Sequence, residues 1–245
     1  GTPARPDTSS MAPFLSVVIP AYNEESRLPA TLDAVQDYLE RQAYTWEIIV
    51  ADDGSRDRTV EVAREHARSD QCRVVEAPRN MGKGAAVRRG MLEAKGKFRL
   101  FTDADNSTPI EEVEKLLEAM RRRKAHVAIG SRAAKGALLE QRQPFHREMM
   151  GRGFNLIVQL LALPGIKDTQ CGFKLFTQPA AETIFPRQTM DRFSFDVELL
   201  VLARKAGCHI AEVPVRWIDN PDSRVSPVKD SLRVFADVVR IRWRH

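Results

Sequence analysis

Three cysteines in 245 residues, Cys72, Cys171 and Cys208, are too few for a disulfide frame and lack metal-ligand spacing. They read as reduced thiols in a cytosolic compartment. No apolar run approaches the roughly 20 residues needed to span a bilayer. Glycine (13) and proline (14) are too sparse for a collagen-like or low-complexity chain, and 43% hydrophobic residues exclude an intrinsically disordered one. Residues 1–10 are polar and proline-rich without the apolar core of a secretory signal. Residues 1–13 are expected to be a tag remnant or disordered tail, with a natural start at Met11. Basic runs with interleaved aromatics are also missing, which argues against a nucleic-acid-binding module.

What is present suits one compact globular domain. The net charge is +5 and the pI about 9.3, pointing to a polyanionic partner. Of the 38 basic residues 28 are arginine, the side chain suited to bidentate phosphate contacts.

The first half alternates strand and helix patterns. Apolar strands are expected at 15–19, 47–51, 72–75, 98–102 and 125–129, with helices over 28–39, 56–68, 84–94 and 109–123 between them. Such alternation means βαβ units on a mainly parallel sheet, an α/β architecture whose ligands bind at the carboxyl ends of the strands. The segments at those ends are Pro20-Ala-Tyr-Asn-Glu-Glu25, Asp52-Asp-Gly-Ser55, Asp103-Ala-Asp105 and Gly130-Ser-Arg132, all polar or acidic. The second half is less regular: helices over 147–163, 194–205 and 228–244, a loop Asp168-Thr-Gln-Cys-Gly172 leading into 173–176, and an extended 210–218.

Two carboxylates at i and i+2 after a buried strand, Asp103 and Asp105, can share one hard divalent cation and leave coordination sites for a diphosphate. The plainer alternative is a pair of loop acids capping the helix at Pro109. Asp53 can accept a hydrogen bond from a base-edge N–H, or the Asp52-Asp53-Gly54-Ser55 segment can form an Asx turn. Lys83 lies between glycines at a helix start, where backbone N–H groups and an ammonium suit a phosphate, although neither GxxxxGK[ST] nor GxGxxG is spelled.

Taken in order, Pro20-Ala-Tyr-Asn-Glu-Glu25, Asp52-Asp-Gly-Ser-Arg-Asp57, Asn80-Met-Gly-Lys-Gly84, Asp103-Ala-Asp105 and Gly130-Ser-Arg132 resemble the motifs of family 2 glycosyltransferases with the GT-A fold. Asp168-Thr-Gln-Cys-Gly-Phe-Lys-Leu-Phe176, Phe195-Asp-Val-Glu-Leu199 and Glu212-Val-Pro-Val-Arg-Trp217 are close to the dolichyl-phosphate β-glucosyltransferase group; dolichyl-phosphate mannose synthases are more distant. The resemblance covers about residues 14 to 242 and implies a GT-A domain over 14–226, followed by a basic amphipathic helix over 227–245.

It implies that Pro20, Ala21, Tyr22, Glu24, Ala51 and Asp53 frame the nucleotide, with Lys83 near it. Asp103, Ala104 and Asp105 would face the diphosphate, the two acids holding Mg²⁺ or Mn²⁺. Arg132, Arg147 and Arg224 would place cations at donor or acceptor phosphates, with Arg142 and Arg152 as neighbours able to replace Arg147. Two departures stand out: Ser107 where mannose synthases carry Gln, and Pro221-Asp-Ser-Arg224 where the family has Gly-Ser-Lys.

The implied reaction moves a hexose, glucose from UDP-glucose, to a polyprenyl phosphate with inversion. A phosphate monoester is mostly dianionic at neutral pH and already nucleophilic, so no general base is obligatory. A hydroxyl acceptor in polysaccharide or glycolipid synthesis would need a base; Asp168, Asp196 and Glu198 are the candidates, unless the last two merely cap a helix. GDP-mannose as donor stays open. A sugar nucleotidyltransferase is disfavoured, because Pro20-Ala-Tyr-Asn stands where its Gly-rich loop would be.

For the lipid, Phe154, Ile157, Val158, Leu160 and Leu161 lie near Arg147 and Arg152. Val228, Leu232, Phe235 and Val239 form one face of the last helix, with Arg233, Arg240 and Arg244 on another and Trp243 at the interface. The expected location is the cytoplasmic face of a membrane, attached without crossing it; the alternative for this helix is core packing with a solvated basic face.

Overall fold

The computed structural model describes residues 11–139, 149, 153, 156–159, 161–192, 194–218 and 227–245, with side chains of the last helix described at 233 and 235–245. In chain order the elements are β1 (Leu15–Ala21), α1 (Leu28–Glu40), β2 (Trp46–Asp52), α2 (Thr59–His66), β3 (Cys72–Glu76), α3 (Lys83–Glu93), β4 (Phe98–Thr102), α4 (Val113–Arg123), β5 (Val127–Ser131), β6 (Leu138–Leu139), β7 (Phe173–Thr177), α5 (Gln178–Ile184), α6 (Phe195–Lys205), β8 (Ile210–Pro214), β9 (Arg216–Trp217) and α7 (Pro227–Arg244).

Seven strands form one sheet in the order β3-β2-β1-β4-β7-β5-β8, with β6 and β9 paired apart. All the large sheet's pairings are parallel except those of β7, which runs antiparallel to β4 and β5. The chain steps outward from β1 through β2 to β3, then returns to lay β4 on the other side of β1. This reversal opens a crevice at the carboxyl ends of β1 and β4.

Buried side chains alternate across the sheet. Leu15, Val17 and Ile19 of β1 pack with Leu32 and Leu39 of α1 and with Val113 and Leu116 of α4. On the opposite face Val18 and Ile49 pack with Val87 and Met91 of α3, Ile184 of α5 and Leu199 of α6. Each such fully buried aliphatic side chain contributes roughly 1.5–3 kcal/mol.

The expected α/β fold is present, with shifts. The fifth strand runs two residues later than expected, so Gly130 and Ser131 end the strand and Arg132 is the first residue beyond it. The helix expected from Pro109 opens with a 3₁₀ turn, Ile110–Glu112, before α4. The extended stretch breaks at Val215, whose N–H donates to Ser131 O, separating β8 from β9. Residues 149, 153, 156–159 and 161 are helical, as the 147–163 pattern expects; Phe154 and Leu160 lie outside the described residues.

In the last helix the buried side chains among those described are Val238 and Ile241, packed into the same layer as α6, while Phe235 is exposed and Val239 half-buried. Val238 and Ile241 thus add an apolar stripe that meets the core beside the face expected from the sequence, whose Val228 and Leu232 side chains lie outside the described residues. Ser194 Oγ donates to Asp237 Oδ2 at 2.6 Å, and Arg242 Nη1 to Leu161 O at 3.0 Å, tying α7 to its neighbours.

Candidate active site

The loops after β1 and β2 are laced together by side chain to backbone hydrogen bonds. Asn23 N–H donates to Ser55 Oγ, Arg56 N–H to Asn23 Oδ1, Glu24 N–H to Thr59 Oγ1 and Arg58 N–H to Glu25 Oε2, all at 2.8–3.0 Å. Asp52 forms the Asx turn, accepting from the N–H groups of Gly54 and Ser55 and from Ser55 Oγ. The buried Asp53 carboxylate accepts from Asn80 Nδ2, Met81 N–H and Gly82 N–H at 2.8–3.0 Å. Burial pushes its pKa up, and the two backbone donors oppose that shift. Asp53 thus fixes the turn that begins α3 and carries Lys83.

Lys83 points across the crevice to β4. Its Nζ lies 2.6 Å from Asp103 Oδ1, an ion pair without hydrogen-bond alignment at that oxygen. Burial works against the ammonium charge, but Asp103, Asp196 and Asp105 outweigh it and raise the Lys83 pKa. Asp105 Oδ1 accepts from Ser107 N–H at 3.0 Å. Burial, then the neighbouring Asp103 charge, push the Asp105 carboxyl above its ordinary range. Ala104 is buried, and its carbonyl accepts from Thr31 Oγ1 of α1 at 2.6 Å, pinning the turn between the two acids.

Two mutually repelling carboxylates, one with a buried oxygen that no donor faces squarely, form a site that a divalent cation would relieve. Among the described residues no three His, Cys, Asp or Glu side chains converge as a metal cluster. Among the described residues the carboxylates placed to share a cation here are Asp103 and Asp105, and that donor set fits a hard cation completed by ligand oxygens.

Because β7 is antiparallel, with Phe173 opposite Thr102, the loop before it arrives at the same sheet edge as Asp103. Asp103 N–H donates to Gly172 O at 3.1 Å. A Cβ on Gly172 would overlap the Asp103 carboxylate, so any larger residue here must push that carboxylate from its place. Gly172→Ala should leave the thermal midpoint nearly unchanged and lower kcat by about a hundredfold, the cost of a displacement near 1 Å at a reacting centre. Steady-state kinetics with a melting curve would check this.

Arg132 and Asp168 form a bidentate pair: Nε to Oδ2 at 2.8 Å and Nη2 to Oδ1 at 3.0 Å, with Arg132 N–H also donating to Oδ2 at 2.9 Å. The Trp217 ring of β9 lies against the guanidinium, 5.4 Å from its carbon. Burial alone would raise the Asp168 pKa; the Arg132 charge and hydrogen bonds outweigh it and hold the carboxyl down to about 2. Asp196 accepts from Lys174 Nζ at 2.6 Å, and that ammonium also donates to Cys171 O. Glu198 is fully buried and accepts from Thr189 N–H, Thr189 Oγ1 and Met190 N–H, with the His245 ring 3.0 Å away. All three acids considered as bases are therefore committed to cations or backbone donors.

The structure brings Lys83, Asp103, Asp105, Arg132, Asp168 and Asp196 to one end of the sheet. Tyr22 stands half-exposed at the β1 end, whereas Pro20, Ala21 and Ala51 are buried beneath it, Ala51 fully so. Glu24 is held by both Nε and Nη2 of Arg27, at 2.7 and 2.6 Å. Arg142, Arg147, Arg152 and Arg224 lie outside the described residues. Sequence reasoning missed Lys174, Trp217 and the role of Gly172. Lys174 had a signal: a lysine inside Phe173-Lys-Leu-Phe176, an otherwise apolar strand, needs a buried partner.

The family model for glycosyl transferase family 2 matches residues 16–185. A dolichyl-phosphate beta-glucosyltransferase of Trichomonas vaginalis is 42% identical, over 93% of this chain and 70% of its own length. That of Homo sapiens is 39% identical, over 94% and 75%. Among solved structures, glucosyl-3-phosphoglycerate synthase of Mycobacterium tuberculosis, bound to Mn²⁺, UDP and product, superposes with a TM-score of 0.69. Its identity is 20%, over 94% of this chain and 78% of that one, so the likeness is one of fold. A match over most of the chain to the family model, relatives near 40% identity, and paired acids at the sheet's switch point agree: the chain belongs to the family 2 glycosyltransferases.

Proposed function

We propose that the protein transfers glucose from UDP-glucose to a dolichyl or other polyprenyl phosphate, inverting the anomeric centre to give a β-linked product. The observation that carries this reading is the commitment of Asp168, Asp196 and Glu198 to structural partners. A crevice in which, among the described residues, the three candidate bases are all engaged suits an acceptor that is already anionic. Such an acceptor is mostly a dianion at neutral pH, its second pKa being about 6. Relatives named as dolichyl-phosphate beta-glucosyltransferases over more than nine-tenths of the chain point the same way.

In this mechanism the loops after β1 and β2, with Tyr22, receive the nucleoside. Asp103 and Asp105 would hold Mg²⁺ or Mn²⁺, which supplies charge neutralisation to the departing diphosphate. Lys83, already at Asp103, places a second positive charge beside the diphosphate. Arg132, fixed by Asp168 and Trp217, offers a cation on the β5 side for the acceptor phosphate, with Arg147 and Arg224 as further candidates. Bringing two anions together in a site of low dielectric is the main electrostatic obstacle, and preorganised cations are what offset it.

The test is a transfer assay with Mg²⁺ or Mn²⁺, a panel of UDP- and GDP-sugars and a short polyprenyl phosphate, read by mass spectrometry. A metal-dependent lipid-phosphate hexose is expected. UDP binding with no lipid product would retain the donor site and overturn the acceptor.

The reading places the enzyme on the cytoplasmic face of a membrane. Among the described residues no helix is long and apolar enough to cross one. Contact through α7 is supported by Phe235 and Trp243, 47% and 86% exposed, standing among exposed Arg233, Arg240, Arg242 and Arg244. Replacing both aromatics by serine should weaken sedimentation with anionic vesicles by about tenfold or more, equivalent to about 1.4 kcal/mol. Transfer to a short, water-soluble acceptor should be unchanged. Undiminished vesicle binding would remove α7 from the contact.

A further inference from the structure

We propose that Glu198 is a positioning residue for the donor site, acting through the segment 188–191 on the turn that carries Lys83; the functional part of this proposal rests on the donor reading above. Glu198 sits in the first turns of α6 but does not cap that helix. Its oxygens instead accept from the backbone N–H groups of Thr189 (2.9 and 3.0 Å) and Met190 (2.8 Å) and from Thr189 Oγ1 (2.7 Å). A fully buried carboxylate with several donors on one short segment fixes that segment in place, because releasing any donor would leave a buried charge underpaired.

The fixed segment lies directly on the start of α3. Gln188 Nε2 donates to Gly84 O at 2.8 Å, and Ala85 N–H donates to Asp191 O at 3.0 Å. The fit leaves no room for side chains: a Cβ on Gly82 would overlap Asp191 O, and one on Gly84 would overlap Met190 O. Lys83, between these glycines, is the residue whose ammonium meets Asp103. On the other flank Asp53 grips Met81 and Gly82. The Lys83 turn is therefore clamped between two buried acids, Asp53 directly and Glu198 through one layer of backbone. His245 Nε2, 3.0 Å from Glu198 Oε1, extends this layer to the end of α7.

Glu198→Gln keeps the shape but turns an amide toward N–H donors. It should speed hydrogen exchange at residues 81–86 and weaken UDP affinity, measured by calorimetry with Mn²⁺, by about tenfold, as expected for residues sharing one network. In a Lys83→Met background the same substitution should cost less than about twofold, since the ammonium it positions is gone. Gln188→Leu leaves the Glu198 bonds intact and removes the amide that bridges Met190 O (2.9 Å) and Gly84 O; it should reproduce both effects and guards against a Glu198 variant that fails to fold.

Additive losses in the double-mutant cycle, or unchanged exchange at 81–86, would overturn the proposal. If the wild-type protein bound no UDP, the donor reading would fall and the functional role of Glu198 with it. The exchange data would still decide whether the brace exists.

Discussion

Asp105→Ala should abolish metal-dependent UDP binding and lower kcat/KM by about a thousandfold or more, the scale of losing a main electrostatic stabiliser of a leaving group. The same substitution should leave the metal-free protein as stable as before, or more so. Asp105 accepts from Ser107 through its N–H and its hydroxyl, but burial and the Asp103 charge outweigh these and disfavour its own charge. Removing it relieves that repulsion and leaves the Lys83–Asp103 pair in place. The signature is thus opposite signs: activity collapses while the thermal midpoint holds or rises, as expected where a site stores unfavourable charge for function. Mn²⁺ should raise the midpoint of the wild type in the presence of UDP and fail to raise that of the variant. Retained turnover, or a fall in midpoint matching the fall in activity, would mean that these acids cap a helix and hold no cation.

The parallel half of the fold was legible because each strand is a short apolar run and each helix an apolar stripe. The crevice follows from where the polar segments fall along those runs. The direction of β7 was not. Phe173-Lys-Leu-Phe176 reads the same either way, and the insertion of β7 between β4 and β5 depends on pairing with residues 45 to 79 positions away. That insertion brings Gly172 to Asp103, so the loop's contribution could not be read locally.

Similarly, Asp168, Asp196 and Glu198 all look like candidate bases in one dimension. Their partners Arg132, Lys174 and Thr189-Met190 come from other elements, and only packing pairs them. For Asp196 the hint lay in Phe173-Lys-Leu-Phe176, an apolar strand that buries one cation. In α7 the periodicity was correctly helical but ambiguous in phase, since Val238 and Ile241 form a second stripe.

Asp168→Asn separates a structural acid from a catalytic one. Asp168 is 1% exposed and accepts three bonds from Arg132 and one from Gln170 N–H. Neutralising it leaves the guanidinium without its counter-charge, and breaking such a pair costs about 3 kcal/mol. Because the loop also carries Gly172 against Asp103, UDP affinity should fall together with turnover. Loss of a general base would instead spare both stability and donor binding.

The pH dependence is a second check. A carboxyl held down to about 2 in the folded protein stabilises it fully above the unfolded value, about 3.9, and that stabilisation is lost as pH falls toward 2. Across that window the wild type should lose more stability than the variant, the difference being the Asp168 contribution, while the kcat/KM profile near neutrality shows no limb from this group. The double variant Arg132→Met with Asp168→Leu should recover much of the stability, because no buried charge is left unpaired. It should recover none of the transfer, because the cation proposed for the acceptor phosphate is gone. Recovery of activity in that variant would show that Arg132 serves only to hold Asp168.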